Sequence, residues 1–205
     1  SVPWGPIRMK PLAFGAALAA TLALSAPALA AGPLTFVQAG GVLVDPASGK
    51  VETAKTLVVQ DGKVVRVEDG YVAEPGGTVV DLKSRFVLPG LIDSHVHLTS
   101  EQGPSSRLDE VTLSASDQAF AGARYAKRTL MAGFTTVADL GGENEAVFAL
   151  RKATANGDVP GPRIIAAGSA ISIHGGHGDV NGLREDIMHV LRPNSVCSGA
   201  EDCRR

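Results

Sequence analysis

Two histidines separated by one residue, His95 and His97, are the first candidates for chemistry in this sequence. The apolar residues around them predict a β-strand, and side chains two apart on a strand project from the same face. Two imidazoles on one face can bind one metal ion, since zinc accepts histidine nitrogens at about 2.0–2.1 Å. Asp93 shares that face, where it either hydrogen-bonds to the metal-binding rings or stabilises the strand. Spacing alone also allows ordinary surface or core histidines.

Two further histidines, His174 and His177, flank a pair of glycines. We expect one or both at the mouth of a substrate site, where glycine lets backbone amides approach a ligand. The alternative is a tight loop with solvent-exposed histidines. We interpret His189 as a surface or packing residue of a helix. Asp139 ends a predicted strand, where capping of the next loop and a catalytic role are equally compatible with the pattern.

The elements that must position these residues change character along the chain. Short strands separated by turn residues predict an all-β module over residues 31–88, in which Asp61-Gly62 is a strong hairpin signal. Beyond it, strands are predicted at 86–98, 134–140 and 163–168, and helices at 117–132, 143–156 and 184–191. Asp117 is the expected cap of the first helix, and Gly133 and Gly157 are expected to end the first and second. Alternating strands and helices predict parallel βαβ units, whose functional residues lie at the carboxyl ends of the strands.

Residues 1–30 are typical of an upstream extension followed by a secretory signal peptide. Met9-Lys10 precedes an apolar run, and Ala28-Leu29-Ala30 matches a cleavage site. The run is shorter than the ~20 residues that cross a bilayer, so no stable membrane anchor is expected after cleavage. We therefore expect an exported protein, either periplasmic or secreted. In an oxidising compartment a disulfide between Cys197 and Cys203 is favoured over two free thiols.

Composition limits the class of partner and the size of the fold. The chain has 205 residues with 19 basic and 21 acidic side chains, a formal net charge of −2. Nucleic acid is therefore not expected as a partner, because proteins that bind it concentrate positive charge. A complete eight-stranded α/β barrel takes ~250 residues, so this length does not accommodate one together with a second module.

Several segments resemble the metal-dependent amidohydrolase superfamily. Residues 86–97 read FVLPGLIDSHVH and closely resemble its first barrel strand, and residues 132–142 read AGFTTVADLGG and resemble its second strand region. The sequence PGPR at 160–163 then leads into a third strand, which GGHGD at 175–179 follows. Together these segments resemble the prolidase-like, imidazolonepropionase-related branch, whose members mostly cleave dipeptides or other amide bonds.

The resemblance implies that His95 and His97 bind the more buried of two divalent ions, usually zinc. It also implies a bridging carboxylated lysine, two further histidines and a proton-transferring aspartate from later strands, which have no counterpart here. Lys152 and Asp179 occupy other places in the order and are not assigned those roles. The expected fold is α/β, an incomplete (β/α)8 TIM-type barrel of about three βα units over 89–205, preceded by a partial β-sandwich over 31–88.

The expected function is that of the amino-terminal portion of an exported metal-dependent amidohydrolase. Such an enzyme hydrolyses an amide bond of a dipeptide or similar small molecule through metal-activated water. We expect the 205-residue chain alone to be inactive, and a homo-oligomer is compatible with the full-length form. The alternatives are a non-catalytic truncated pseudoenzyme and a small periplasmic α/β binding protein with an incidental histidine pair.

Overall fold

The computed structural model describes residues 31–204, so the predicted signal peptide and its cleavage site lie outside the described residues. The strands are β1 (Thr35–Asp45), β2 (Lys50–Gln60), β3 (Lys63–Asp69), β4 (Thr78–Val87), β5 (Leu91–Val96), β6 (Phe134–Asp139) and β7 (Arg163–Ala166). The helices are α1 (Ser106–Thr112), α2 (Ala115–Met131), α3 (Asn144–Asn156) and α4 (Glu185–Leu191), with a 3-10 turn at Asp202–Arg204. The predicted mixed α/β class is confirmed.

The first four strands form one sheet in the order β3-β2-β1-β4. The pairs β1–β2 and β2–β3 are antiparallel, whereas β4 lies parallel to β1. The predicted hairpin joins β2 to β3, and Asp61 and Gly62 both adopt positive φ, 49° and 74°. Two such residues in succession suit the tight turns whose twist matches that of the flanking strands. Phe36 and Val58 are fully buried on this sheet.

The segment predicted as one bent strand over 86–98 is instead divided between two sheets, so that prediction is wrong. Phe86 and Val87 pair with β1, whereas Leu91 begins β5 and pairs with β6. Pro89 lies between them and has no N–H to donate to a ladder, which favours a junction at this point.

The second sheet has three parallel strands in the order β5-β6-β7. Helices α2 and α3 pack beside it around one core cluster of apolar side chains. The buried members of this cluster are Leu98, Ala126, Val137, Leu150 and Ile164. Within residues 31–204, β5 and β7 each pair along one edge only. The carboxyl ends of the three strands meet at one edge, and the incomplete barrel and the partial β-sandwich stay predictions.

The helix ends follow local capping chemistry. Ser114, and not the predicted Asp117, is the N-cap of α2, and Asp117 forms the reciprocal half of a capping box. Gly157 ends α3 with φ at 80°, as predicted. The seven-residue α1 was not predicted from the sequence. No helix in the described part of the chain is long and apolar enough to cross a membrane.

Candidate metal and substrate site

His95 and His97 lie at the carboxyl end of β5, with His97 just beyond the last strand residue. The Nδ1 atom of His97 is 2.8 Å from the carbonyl oxygen of Gly141. Because a carbonyl oxygen only accepts, Nδ1 is the donor in this contact, and in the neutral ring the lone pair is then on Nε2. The two imidazole centroids are 5.3 Å apart at an interplanar angle of 74°. This separation is compatible with convergence of both rings on one ion.

Of the two roles considered for Asp93, its contact in this structure corresponds to the structural one. Its Oδ1 atom accepts a hydrogen bond from the backbone N–H of His95, at 3.0 Å. The pairing register of β5 on β6 shifts between Asp93 and Val96, which interrupts the strict alternation assumed from the sequence. In this structure the partner of the His97 ring is therefore the Gly141 carbonyl, rather than the carboxylate of Asp93.

Asp139 is the residue of this site whose role the sequence left undecided. Its side chain is fully buried at the end of β6. Oδ2 accepts a hydrogen bond from the N–H of Leu98 at 2.9 Å, and Oδ1 accepts one from the N–H of Gly141 at 3.3 Å. The signal in the sequence is an aspartate at a strand end that is followed directly by Gly141-Gly142. The carboxylate thus joins the end of β5 to the loop after β6.

A cleft of about 1010 Å³ opens at this edge of the parallel sheet. His95, His97 and His177 line it together with Glu143, Asn144 and Ser169. His174 is not among its lining residues, and its Nδ1 atom instead lies 3.1 Å from Oγ of Ser198. The structure therefore brings three of the four candidate histidines to one cleft.

Asp179 organises the loop that contains His177. Its buried carboxylate accepts hydrogen bonds from the N–H groups of Gly175 and Val180, each at 2.8 Å, and from Nε of Arg192 at 3.1 Å. The hydrogen bond from Gly175 is the main reason that the pKa of Asp179 lies below its ordinary value, and Arg192 lowers the pKa further. The loop thus owes its shape to an acceptor that is charged at neutral pH.

Residues 195–197 lie against Ser172, two residues before His174, and form an isolated β-bridge with it. The N–H of Cys197 donates to the carbonyl of Ser172 at 2.8 Å. A disulfide joins Cys197 to Cys203, with the Cα atoms 5.1 Å apart. The disulfide-closed segment includes Ser198, the residue in contact with the His174 ring.

The histidine pair offers the type of ligand atom that a metal ion requires, but two side chains are fewer than a protein metal site uses. Imidazole nitrogens are ligands that zinc prefers, and zinc sites in proteins use three or four protein ligands. Residues 31–204 contain no group of three or more His, Cys, Asp or Glu side chains arranged to hold an ion. His95 and His97 therefore match part of a coordination sphere.

This chain has a parallel sheet with flanking helices and a histidine pair at the carboxyl ends of the strands. It therefore belongs to the class of α/β proteins whose functional site lies at the strand ends. Residues 86–205 match the model of the Amidohydrolase family, and the chain belongs to this family. Members of this family are generally metal-dependent. The resemblance to the amidohydrolase superfamily is thereby confirmed.

Similar proteins of known structure or curated name include prolidase-like and dihydroorotase chains. A Xaa-Pro dipeptidase with bound methionine is 32% identical with a TM-score of 0.65, over 75% of this chain and 38% of that one. A prolidase complexed with N-methylphosphonate-L-proline is 30% identical with a TM-score of 0.64, over 83% and 42% of the two chains. A dihydroorotase of Pelotomaculum thermopropionicum is 38% identical over 99 residues, 48% of this chain and 20% of the relative. The chain thus spans about two fifths of these structures and a fifth of that curated relative.

Proposed function

We propose that the protein containing this chain hydrolyses an amide bond in a dipeptide or related small molecule, and that His95 and His97 are metal ligands. The observation that supports this is the hydrogen bond from Nδ1 of His97 to the Gly141 carbonyl at 2.8 Å, which keeps Nε2 available. The names of two similar structures, a Xaa-Pro dipeptidase and a prolidase, favour a dipeptide substrate. Zinc is the proposed ion because imidazole suits it.

The residues of the cleft have distinct proposed roles. A divalent ion, when bound, supplies polarisation of a carbonyl oxygen and a lowered pKa of bound water. His95 and His97 bind that ion, and the Gly141 carbonyl orients the His97 ring. His177 lines the same cleft and is proposed to hydrogen-bond to the substrate. Asp179 holds the His177 loop in shape through its bonds to backbone N–H groups.

The 205-residue chain alone is proposed to have negligible amidase activity. Within residues 31–204 no third His, Cys, Asp or Glu side chain joins the two imidazoles in a group that could hold a metal ion. The same observation favours the second candidate, a non-catalytic product that retains the family fold. The reading frame beyond Arg205 distinguishes them, because an enzyme requires a lysine, histidines and an aspartate there in family order. The absence of these residues would contradict the enzyme proposal. Dipeptide turnover by the purified 205-residue chain would contradict the proposal that this chain alone is inactive.

Zinc binding by the histidine pair is the direct test. Isothermal titration of the full 205-residue chain with zinc is expected to show weak binding that the His95→Ala, His97→Ala double variant reduces at least about tenfold. His189→Ala is the matched control, since His189 is an exposed histidine of α4 outside the cleft. Equal zinc affinity in the double variant and the control would refute the assignment of the metal ligands.

Export is part of the same proposal. It is supported by the apolar run after Met9-Lys10 and by the small residues at 28–30. The disulfide between Cys197 and Cys203 is typical of proteins in oxidising compartments. A small-molecule substrate, rather than a macromolecular partner, is proposed for the cleft.

A further inference from the structure

We infer that Asp139 is a positioning residue for His97: its carboxylate holds the two backbone groups that fix the His97 ring in the tautomer with a free Nε2. The inference rests on the proposed function in one respect, the use of the free Nε2 atom as a metal ligand. The structural device itself, a buried carboxylate joining two strand ends, is independent of which metal or substrate is used.

The first bond fixes the chain next to His97. The N–H of Leu98 donates to Oδ2 of Asp139 at 2.9 Å, and Leu98 directly follows His97 in the chain. The Leu98 side chain is 4% exposed and belongs to the core cluster. Leu98 is therefore held both by the core and by Asp139, which restrains the backbone of the preceding residue, His97.

The second bond fixes the partner of the ring. The N–H of Gly141 donates to Oδ1 of Asp139 at 3.3 Å, and the carbonyl of the same glycine accepts from Nδ1 of His97 at 2.8 Å. One carboxylate thus reaches His97 by two routes, through its own backbone and through the group that its ring contacts. This arrangement sets the orientation of the imidazole and the nitrogen that bears the proton.

The backbone around Asp139 has little freedom of its own. Its carbonyl oxygen accepts from the N–H of Ala167 at 2.9 Å, and the next residue, Leu140, donates to the carbonyl of Val96 at 3.1 Å. Asp139 ends the central strand of the three, so the ends of β5 and β7 are tied to it on both sides. A buried side chain on such a fixed backbone is suited to position a neighbour precisely.

The chemistry of the two bonds requires two acceptors. A carboxylate offers two acceptor oxygens, whereas the amide of asparagine offers one oxygen and one NH₂ group. In Asp139→Asn, the NH₂ group faces an N–H donor at either Leu98 or Gly141, and one bond is lost. The variant has nearly the same volume, so the core is not emptied and the effect reports on hydrogen bonding.

The tautomer of His97 is the decisive readout. Long-range ¹H–¹⁵N spectra of the metal-free full chain are expected to show His97 protonated on Nδ1 in the wild type and a mixture of tautomers in Asp139→Asn. Among residues 31–204, His177 forms no hydrogen bond with Asp139, and its signals are expected to stay unchanged. Zinc affinity measured by titration is expected to fall about ten- to hundredfold. A change in the tautomer without any zinc binding would support Asp139 while removing the metal proposal.

Thr56 provides a control with the same kind of buried contacts in the other sheet. It is fully buried, donates to the carbonyl of Gly70 at 2.8 Å and accepts from the N–H of Val72 at 3.0 Å. Thr56→Val is expected to lower the melting temperature and to leave the His97 tautomer and the zinc affinity unchanged. Equal His97 changes in both variants would show that general destabilisation is sufficient, and would overturn the inference.

A measurement on the wild type keeps the inference testable if Asp139→Asn does not fold. Because coupling between two equilibria is reciprocal, bonds that favour zinc binding must be favoured by bound zinc. Zinc is expected to slow amide hydrogen exchange at Leu98 and Gly141, and not at Val72. Unchanged exchange at Leu98 and Gly141 in zinc-saturated protein would overturn the inference, as would a folded Asp139→Asn that retains the wild-type tautomer and zinc affinity.

Discussion

His97 contacts the backbone of a neighbouring strand end, and this contact depends on how closely two chain segments approach each other. A Cβ atom added at Gly141 would lie 3.2 Å from Cε1 of His97, and one added at Gly142 would lie 2.9 Å from Oγ1 of Thr99. Glycine at both positions therefore permits a spacing that any side chain would disturb. Because Gly141 and Gly142 lack side chains, the loop after β6 can approach His97 and Thr99 closely.

Gly141→Ala is predicted to displace the His97 ring without removing any hydrogen-bonding group. The added methyl group lies closer to the ring than ordinary van der Waals contact allows, so the ring must shift by a few tenths of an ångström. We expect zinc affinity to fall about tenfold, as measured by titration calorimetry. Gly103→Ala is the control, because a Cβ atom there meets nothing within 4 Å. Identical zinc binding by both alanine variants would contradict the role of Gly141.

At the scale of elements, the loop after β7 depends on a charged acceptor. Asp179 accepts from the N–H groups of Gly175 and Val180, and the pKa of its carboxyl group is lowered mainly by the Gly175 bond and further by Arg192. A depressed pKa in the folded state means that the unfolded chain binds the proton more readily. This stabilisation is therefore complete above the ordinary aspartate pKa of about 3.9 and is lost as pH falls through the lower folded value.

Asp179→Asn is predicted to remove this acid dependence. The free energy of unfolding of the wild type, measured by denaturant titration, is expected to fall below about pH 4, and the variant is expected to lack this part of the decline. Arg192→Gln retains the backbone bonds to Asp179 and is expected to lose only the smaller share. This explanation would be contradicted if the free energy of unfolding of Asp179→Asn fell as steeply with decreasing pH as that of the wild type.

The elements that local chemistry determines could be predicted, and those that depend on a distant partner could not. The hairpin at Asp61-Gly62 and the end of α3 at Gly157 follow from backbone preferences of the residues present. The division of 86–98 between two sheets was missed because strand-forming residues do not specify which neighbour accepts their hydrogen bonds. Ser114 and Asp117 are both suitable caps, and the N-cap of α2 was predicted three residues too late.

At the scale of the whole molecule, the parallel sheet presents apolar side chains that the described residues do not cover. Ile92 on β5 is 72% exposed and Ile165 on β7 is 62% exposed. Both belong to strands that pair along one edge only within residues 31–204. Apolar residues in such positions favour the expectation of further barrel strands packed against them.

Export predicts a defined amino terminus for the mature protein. Sequencing of the product from the periplasm or culture medium is expected to begin at Ala31, because cleavage follows the small residues at 28–30. Ala30→Phe places a large residue at the cleavage point and is expected to leave the leader attached. Ala47→Phe, at an exposed turn of the mature chain, is the control. Recovery of the protein only from the cytoplasm with its leader intact would contradict export.

The candidate site separates what local sequence determines from what tertiary structure decides. The residue types and order of 86–97 and 132–142 were sufficient to predict the family, and the alternation of strands and helices was sufficient to predict the parallel strands. Metal binding by His95 and His97 stays a prediction. The hydrogen bonds around His97 could not be predicted, because they join residues 41 and 44 positions apart, Leu98 with Asp139 and His97 with Gly141. Spacing along a strand determines which side chains share a face, whereas hydrogen bonds between strand ends depend on register and approach. Only the folded sheet brings Asp139 to the positions from which it holds His97.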